Sequence, residues 1–180
     1  MDSSPLLTLR PQTEADLPTL HRWLHAEQSP EWQRWDGPYF PKSSSGLSLE
    51  TYTERAAAHP WDADQQIIAL DGQCIGSVSR YEEDPVGGGW FELGIVIFDR
   101  AYWGGGLGRW ALRLWTVRTF EDTPAHVITL STWSGNQRMI RAAQATGYRE
   151  CARIPEARAW DGQRWDSVKL ATLRCDWLSS

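Results

Sequence analysis

One glycine-rich stretch in the middle of the chain constrains the fold more than any other feature. An apolar run from Phe91 to Phe98 predicts a buried strand, and a turn at Asp99 and Arg100 follows it. Several glycines come next, and a helical pattern of apolar residues begins directly after them. Glycine lets backbone N–H groups surround an anion without Cβ clashes, and a helix N-terminus favours negative charge. A strand, a glycine loop and a helix in this order predict a phosphate-binding site.

Two common phosphate-binding motifs do not match this loop. The G-x-x-x-x-G-K-[ST] motif needs a lysine and a hydroxyl, whereas Arg109 and Trp110 follow the last glycine. The G-x-G-x-x-G motif fails because Arg109 stands at its last position, and the loop lies mid-chain rather than after a first strand. The glycines are Gly104, Gly105, Gly106 and Gly108.

The order Gly106-Leu107-Gly108, after a strand that carries an acidic residue, resembles the acyl-CoA loop of the GNAT superfamily of N-acetyltransferases. That loop reads [Q/R]-x-x-G-x-[G/A]. Trp103 stands where Gln or Arg is usual. The stretch from Tyr102 is therefore most similar to the Y-W-G-x-G-x-[G/A] version, which is typical of the ribosomal-protein N-terminal acetyltransferase group.

A second segment strengthens the resemblance. Residues 127–133 predict a strand that is followed directly by a helix, and Gly147 predicts the end of that helix. The family pattern after its fifth strand is N-x-x-[A/S]-x-x-x-[Y/A]-x-x-x-G-[F/Y], and Asn136, Gly147 and Tyr148 match it at the correct spacing. Both halves of a coenzyme cleft are thus present in order.

The remaining patterns predict a mixed α/β sheet in the order β-α-α-β-β-β-α-β-α-β-β. We expect a strand over 6–10, a helix capped by Thr13 and Asp16, and an irregular loop over 28–47. A helix to residue 58, a 66–70/73–81 hairpin and a 150–160/163–177 hairpin follow, with Asp-Gly turns. The resemblance implies the GNAT fold in one domain, 6–178: a mostly antiparallel sheet of about seven strands with helices on both faces, splayed between strands 4 and 5.

Composition narrows the possible partners and location. The net charge is −5 without a Lys/Arg cluster, which argues against nucleic acid. No run of roughly 18 apolar residues predicts a membrane span, and Met1–Pro5 lack the features of a signal peptide. The three cysteines are widely spaced, form no metal pattern and predict reduced thiols in a cytoplasmic protein.

The resemblance implies that acetyl-CoA is the cosubstrate, that no metal takes part, and that acetyl passes directly to a primary amine. Glu92, on the otherwise apolar strand, is the candidate general base; pairing with an arginine of a neighbouring strand is the structural alternative. The backbone of Val96 and Phe98 is expected to bond pantetheine as an added strand does. The loop N–H groups, from Gly104, Gly105, Gly106, Leu107, Gly108 and Arg109, are expected to hold the pyrophosphate.

Other side chains near the expected cleft each have two candidate roles or several candidate substitutes. Asn136 either contacts coenzyme or only caps the helix that follows it. The arginine pairs 109/113 and 138/141 are candidate phosphate ligands or solvated helix faces. Ala143 stands where many family members have a tyrosine that protonates the leaving thiolate, and Ser131, Thr132, Ser134 or a water are the substitutes considered.

The acceptor is left open between a protein N-terminal amine, a polyamine and an aminoglycoside. His21–Leu24 and the tryptophan-containing loop after them are similar to aminoglycoside 6′-N-acetyltransferases, whereas the C-terminal half is more similar to the ribosomal-protein group. A non-catalytic acyl-CoA-binding module is the alternative from another class, and a homodimer through the C-terminal strands is possible. Aromatic residues that form either core or substrate wall gather in the N-terminal third: Trp23, Trp32, Trp35, Tyr39, Phe40, Tyr52 and Trp61.

Overall fold

A computed structural model describes residues 6–41 and 46–178 of the chain. Residues 1–5, where we expect no signal peptide, and residues 42–45 of the expected irregular loop lie outside the described part. Seven strands form a mixed central sheet. They are β1 (Leu7–Arg10), β2 (Gln65–Leu70), β3 (Gln73–Glu82), β4 (Trp90–Ile97), β5 (Val127–Trp133), β6 (Arg149–Trp160) and β7 (Gln163–Leu173).

The order of the strands in the sheet is β1-β2-β3-β4-β5-β7-β6. Every neighbouring pair is antiparallel except β4 with β5, which is parallel. The turns of both Asp-Gly hairpins have positive φ at each residue, 49° and 84° in the first and 51° and 70° in the second, as a two-residue hairpin turn requires. The predicted fold class is therefore confirmed.

Helices cover both faces of this sheet. Ser48 caps the second helix by accepting a hydrogen bond from the N–H of Thr51, and the N–H of Thr13 donates to the carboxylate of Asp16 in the predicted capping arrangement. The first α-helix is short, because the helical segment that begins after Thr13 starts with a 3₁₀ turn and ends with a π-helical turn. The helices are α1 (Leu17–His21), α2 (Leu49–Ala58), α3 (Leu107–Asp122), α4 (Gln137–Ala145) and α5 (Arg174–Leu178).

The end of the chain differs from the expected strand over 163–177. β7 stops at Leu173 and a short helix, α5, follows. The guanidinium of Arg174 donates to the carbonyls of Phe120, Thr123 and Ala125 at 2.6–2.8 Å, which satisfies backbone groups at and beyond the end of α3. These long-range bonds turn the chain away from the sheet, so the prediction of strand beyond Leu173 is wrong.

The core has two parts, one on each face of the sheet. On one face, α3 and α4 pack through residues such as Leu112 and Ile140 against Phe91 and Leu93 of β4. On the other face, Leu20 of α1 packs with residues that include Phe98. Because side chains alternate along a strand, the even-numbered residues of β4 face the α1 side and the odd-numbered ones face α3 and α4.

Candidate active site

The parallel strands β4 and β5 separate after a short paired stretch. They pair from Trp90 with Val127 to Glu92 with Thr129, and no pair follows although both strands continue. A cavity of about 660 Å³ occupies the opening between them. Its walls come from the second half of β4, the second half of β5, the glycine loop, the start of α4 and the segment 32–40. The predicted splay between strands 4 and 5 is therefore present.

The glycine loop forms one wall of this cavity. Gly104 and Gly106 have φ values of 85° and 82°, in the left-handed region that favours glycine. A Cβ added at Gly104, Gly105 or Gly106 would meet no atom within 4 Å, so side chains do not fill the space beside the loop. Gly106 is the N-cap of α3, and the N–H groups of the first turn of a helix lack acceptors within it. This wall can therefore bind an anion through backbone amides.

Not every residue of the predicted loop faces the cavity. Leu107 packs against the hydrophobic core, and Gly105 lies outside the lining. These two can contribute through their backbone but not by lining the wall. The predicted loop residues that line the cavity are Gly104, Gly106, Gly108 and Arg109.

The backbone of β4 is displaced by one residue from the expected register. The N–H of Phe98 donates to the carbonyl of Ile75 at 3.0 Å, and Val96 pairs with Ser77 of β3. Hydrogen-bonded pairs in an antiparallel ladder recur at every second residue, so Val96 and Phe98 both direct their backbone groups toward β3. This corrects the expectation that the backbone of Val96 and Phe98 faces the coenzyme.

Ile95 and Ile97 have the opposite orientation, with backbone groups directed into the opening. The carbonyl of Ile97 accepts a hydrogen bond from Nε1 of Trp103 at 2.9 Å, across the gap between β4 and the glycine loop. Both isoleucines line the cavity. They are therefore the β4 residues whose backbone can pair with an extended ligand.

Glu92 lies at the closed end of the opening, in the last β4–β5 pair. Its residue surface is 5% exposed. Its Oε2 accepts hydrogen bonds from the hydroxyl of Thr129 and from Nζ of Lys169, 3.1 Å away on β7. The carboxylate thus has the charged partner that the structural alternative expected, a lysine of β7 instead of an arginine. Gly94, two residues further along the same face of β4, lines the cavity.

Asn136 connects the start of α4 with the segment 32–40. Its Oδ1 accepts from the N–H of Met139 at 3.2 Å, which is the N-cap bond. Its Nδ2 donates to the carbonyl of Trp35 at 3.0 Å, and Nε1 of Trp133 donates to the same carbonyl at 3.0 Å. The side chain also lines the cavity. Asn136 therefore fixes both a helix end and an aromatic wall of the site.

The guanidinium of Arg138 lies between two tryptophans. Its central carbon is 4.2 Å from the ring centroid of Trp35 and 4.3 Å from that of Trp103. Burial lowers the pKa of Arg138. Since Trp35 belongs to the segment 32–40 and Trp103 precedes the glycine loop, this stack joins two walls of the cavity.

The other arginines considered as phosphate ligands divide into two sets. Arg109 and Arg141 line the cavity together with Arg138. Arg113 does not line it, because its guanidinium lies over the ring of Trp177, 5.5 Å from the centroid. Arg113 is therefore not a candidate ligand of the coenzyme phosphates.

The N-terminal aromatics are both core and wall. Some pack in the core on the α1 side, including Trp23, Tyr52 and Trp61. Trp32 belongs to that core and also reaches the cavity. The aromatic residues of this segment that line the cavity are Trp32, Trp35, Tyr39 and Phe40.

Two charged residues near these aromatics did not emerge from the sequence, Asp36 and Arg158, and both line the cavity. The guanidinium carbon of Arg158 is 4.7 Å from the ring centroid of Tyr39 and 5.5 Å from that of Phe40. Arg158 follows an irregularity in the pairing of β6 with β7 that begins after Ile154. No local pattern predicts which side of the hairpin such a residue faces, so Arg158 could not be identified from the residues around it.

The structure also distinguishes among the hydroxyls that were considered as proton donors to the leaving thiolate. Ala143, at the position of the usual tyrosine, is buried in the core. The Oγ of Ser134 accepts a hydrogen bond from the N–H of Asp166 at 2.9 Å, and Ser134 does not line the cavity. Ser131 and Thr132 do line it.

The split sheet, the anion-binding loop and the cavity that crosses the split define a transferase that uses an acyl-coenzyme A. The family model described as "Acetyltransferase (GNAT) domain" matches residues 7–149, and the chain belongs to this family. It is an acetyl-CoA-dependent N-acetyltransferase. The alternative of a binding module without turnover is not supported.

The most similar curated relatives include aminoglycoside N(6′)-acetyltransferase type 1 of Klebsiella pneumoniae and of Serratia marcescens. Each is 26% identical over 156 residues, which are 82% of this chain and 76% of the relative. Among solved structures, spermidine N-acetyltransferase from Vibrio cholerae with CoA and spermine has a TM-score of 0.74 at 19% identity, covering 96% of this chain and 98% of that one. Aminoglycoside acetyltransferase with coenzyme A and kanamycin has a TM-score of 0.67 at 22% identity, covering 97% and 99%.

In the described ranges, 6–41 and 46–178, no group of three or more His, Cys, Asp or Glu side chains could hold a metal ion. No helix in them is both long enough and apolar enough to cross a bilayer. Burial raises the pKa of the Cys74 thiol to about 11, so this thiol is a poor nucleophile at neutral pH.

Proposed function

We propose that this enzyme acetylates a primary amine of a small molecule, by direct attack of the amine on acetyl-CoA in a ternary complex. One observation carries the proposal. A single cavity extends from the glycine loop and Arg109, through the opening between β4 and β5, to Asp36, Tyr39 and Arg158. A thioester bound at one end and an amine bound at the other would meet where the strands separate.

The coenzyme would lie along β4 and across the glycine loop. Its pyrophosphate would accept hydrogen bonds from N–H groups of the loop and of the first turn of α3. Its pantetheine would pair with the backbone of Ile95 and Ile97 as an added strand does. Arg109 and Arg141 have the charge and position to bind the phosphates.

The amine must lose a proton before it can attack. An alkyl ammonium has a pKa near ~10.4, so its deprotonation at pH 7 requires about 4–5 kcal/mol. The nitrogen then forms a bond to the thioester carbon, and the C–S bond breaks with its electron pair on sulfur. A backbone N–H at Ile95 would stabilise the carbonyl oxygen as it gains charge. The nitrogen loses two protons in all: the one removed before attack passes through the base to solvent, and the one lost after the C–N bond forms protonates the coenzyme thiolate.

Glu92 is the proposed base. It sits on the α1-side face of β4, two residues before Gly94 of the cavity wall, so a water above Gly94 could pass the proton to it. Its bonds to Thr129 and Lys169 hold the carboxylate in one orientation. Asp36 is the one carboxylate among the described residues that line the cavity, so an Asp36→Asn variant is the control for the effect of Glu92→Gln on kcat.

A small-molecule acceptor is favoured over a protein N-terminus. The curated relatives act on aminoglycosides, and a structural neighbour was solved with spermine. The ribosomal-protein group, suggested by the Tyr102–Trp103 loop, would instead imply a peptide amine. A homodimer through the β6–β7 hairpin and a cytoplasmic location are further predictions, of which size-exclusion chromatography with light scattering checks the first.

The test is an acetylation screen with purified protein and acetyl-CoA. Release of the coenzyme thiol and mass spectrometry of the products are measured with aliphatic monoamines, amino acids, polyamines, aminoglycosides and N-terminal peptides. We expect acetylated product from one or more small amines. Acetylation of peptides alone would overturn the small-molecule assignment, and coenzyme binding with no acetylated product from any class would overturn the function.

A further inference from the structure

The acceptor end of the cavity contains a guanidinium that pairs with no carboxylate in the part of the chain that the structure describes. Arg158 makes no ion pair within the described residues, and its Nε is a buried donor without a hydrogen-bond partner there. Its guanidinium hydrogen-bonds the phenol of Tyr39, and its Nη2 is 3.4 Å from the Oγ of Ser167, which is a weak contact, so its polar neighbours are uncharged hydroxyls. Arginine has donors only, so the group that would complete this site is a hydrogen-bond acceptor.

The aromatic rings beside Arg158 hold it in place. Tyr39 and Phe40 lie against its guanidinium, and burial raises the pKa of the Tyr39 phenol. A guanidinium whose position is fixed loses little entropy when it binds, and its planar edge matches the two oxygens of a carboxylate. The hairpin therefore presents a prepared anion site at the acceptor end.

A second unpartnered donor belongs to the segment 32–40, which also carries Tyr39 and Phe40. Nε1 of Trp35 is buried and has no hydrogen-bond partner within the described residues, and Trp35 lines the cavity. Indole nitrogen can only donate, like the guanidinium. Two donors that lack acceptors indicate a ligand with acceptor oxygens more than a ligand with several ammonium groups.

The charges at the acceptor end also disfavour a polycation. Arg109 and Arg141 are assigned to the coenzyme phosphates and Arg138 lies between Trp35 and Trp103, so the charged lining residues left for the acceptor are Asp36 and Arg158. A ligand with several ammonium groups would find one opposite charge there and would meet Arg158 as a like charge, which is unfavourable in a partly buried site.

We propose that Arg158 binds a carboxylate of the acceptor, so that the substrate is a primary amine that also carries a carboxylate. The amine then points toward the opening between β4 and β5, and the carboxylate lies against Arg158 and Ser167. This inference rests on the proposed function, because it describes the acceptor of the same reaction. It differs from the polycationic molecules named with the relatives.

The test compares acceptors that differ only in the group opposite the amine. γ-Aminobutyrate and butylamine both have three methylene groups and end in a carboxylate or a methyl group, putrescine has a second ammonium on its fourth carbon, and glycine, β-alanine, spermidine and kanamycin extend the series. We expect kcat/KM to be about 10- to 100-fold higher for the best carboxylate-bearing amine than for its counterpart without one, the effect of one charge-assisted pair.

Three variants assign this preference to Arg158. Arg158→Gln should remove the preference, lowering kcat/KM for γ-aminobutyrate at least tenfold more than kcat/KM for butylamine, Arg158→Lys should retain part of it, and Arg158→Glu should favour putrescine. Arg164→Gln is the matched control, because Arg164 lies exposed in the same hairpin and outside the cavity wall. The preference should persist in this control.

Binding separates a failure of this inference from a failure of the proposed function. Calorimetry with the CoA-saturated protein measures the same acceptors without turnover. Binding of carboxylate-bearing amines to the wild type but not to Arg158→Gln supports the inference even if no product forms. Preference for polycations in the wild type, or an unchanged preference in Arg158→Gln, overturns it while acetylation itself stands.

Discussion

Nζ of Lys169 lies 3.1 Å from Oε2 of Glu92 and joins β7 to the last residue pair before β4 and β5 separate. The Glu92 side chain is 6% exposed and that of Lys169 is 28% exposed. The same lysine lies 3.6 Å from Oε1 of Glu83 and 5.0 Å from the ring centroid of Trp90. The pair therefore lies where β4 and β5 begin to separate. A carboxylate held in such an ion pair can have two roles, as the general base or as a structural link between strands.

Glu92→Gln separates the two roles. If the carboxylate takes the proton of the amine, kcat should fall about 10²- to 10⁴-fold while coenzyme affinity stays within a factor of two, because general-base catalysis accounts for that range. Steady-state kinetics and calorimetry with CoA are the measurements. A variant that keeps wild-type kcat removes Glu92 from the base role.

Lys169→Met is the control for stability. Loss of one partner of a buried ion pair costs about 3–5 kcal/mol, and we expect less here because Lys169 is partly exposed. The double variant Glu92→Gln/Lys169→Met should have a higher melting temperature than Lys169→Met, but its kcat should stay as low as that of Glu92→Gln. If the double variant regained kcat as well as melting temperature, the pair would be structural only.

Gly106→Val tests the glycine loop. Gly106 has φ of 82°, so any side chain there is strained by roughly 1–2 kcal/mol, and its Cβ would extend into the space assigned to the pyrophosphate. We expect coenzyme affinity to fall by at least tenfold. Gly72→Val is a matched control, because Gly72 has φ of 84° and equally open surroundings in the β2–β3 turn. Both variants should lose similar stability, but an equal loss of CoA affinity in the two would contradict the assignment.

Local patterns predicted the two strand–loop–helix units that make the cleft. The strand, the glycines and the apolar period of α3 are adjacent in sequence, and so are β5, Asn136 and α4, so each unit could be identified without tertiary information. The predictions of the N-cap at Thr13 and of the two Asp-Gly turns agree with the structure for the same reason. These features depend on neighbours only a few residues away.

The errors come from contacts that are distant in sequence. Backbone direction alternates at every residue of a strand, so one bond, from Phe98 to Ile75, decides whether Val96 or Ile97 faces the opening. The pairing of Glu92 with Lys169 spans 77 residues. Arg158, which lines the cavity, follows an irregular pairing of β6 with β7, and no property of its immediate neighbours predicts that position.

Arg138→Gln should weaken coenzyme and acceptor binding together. Arg138 stacks between Trp35 and Trp103, and each cation–π contact is worth about 0.5–2 kcal/mol. We expect KM for acetyl-CoA and KM for the acceptor both to rise about three- to tenfold. Arg141→Gln is the comparison, since Arg141 lines the cavity and should affect only acetyl-CoA. Equal effects of the two variants on the acceptor would refute a link between the walls.

Asp16→Asn tests a buried carboxylate far from the reaction. Burial acts to raise the pKa of Asp16, but bonds from Arg10, both at 2.7 Å, and from Thr13 outweigh it and hold the pKa below its ordinary value. A lowered pKa gives stability that is complete above about pH 4 and is lost as pH falls through the folded-state value. The variant should lose about 1–3 kcal/mol of unfolding free energy at pH 7.

Denaturant unfolding from pH 7 to pH 3 checks this prediction. The difference in unfolding free energy between wild type and Asp16→Asn should shrink as the pH falls below about 4, because the wild type then loses the charge that Arg10 binds. Glu14→Gln, on the exposed side of the same turn, should change stability by no more than about 0.5 kcal/mol at any pH. A difference for Asp16→Asn that stays constant down to pH 3 would mean that the bonds of Asp16 do not depend on its charge.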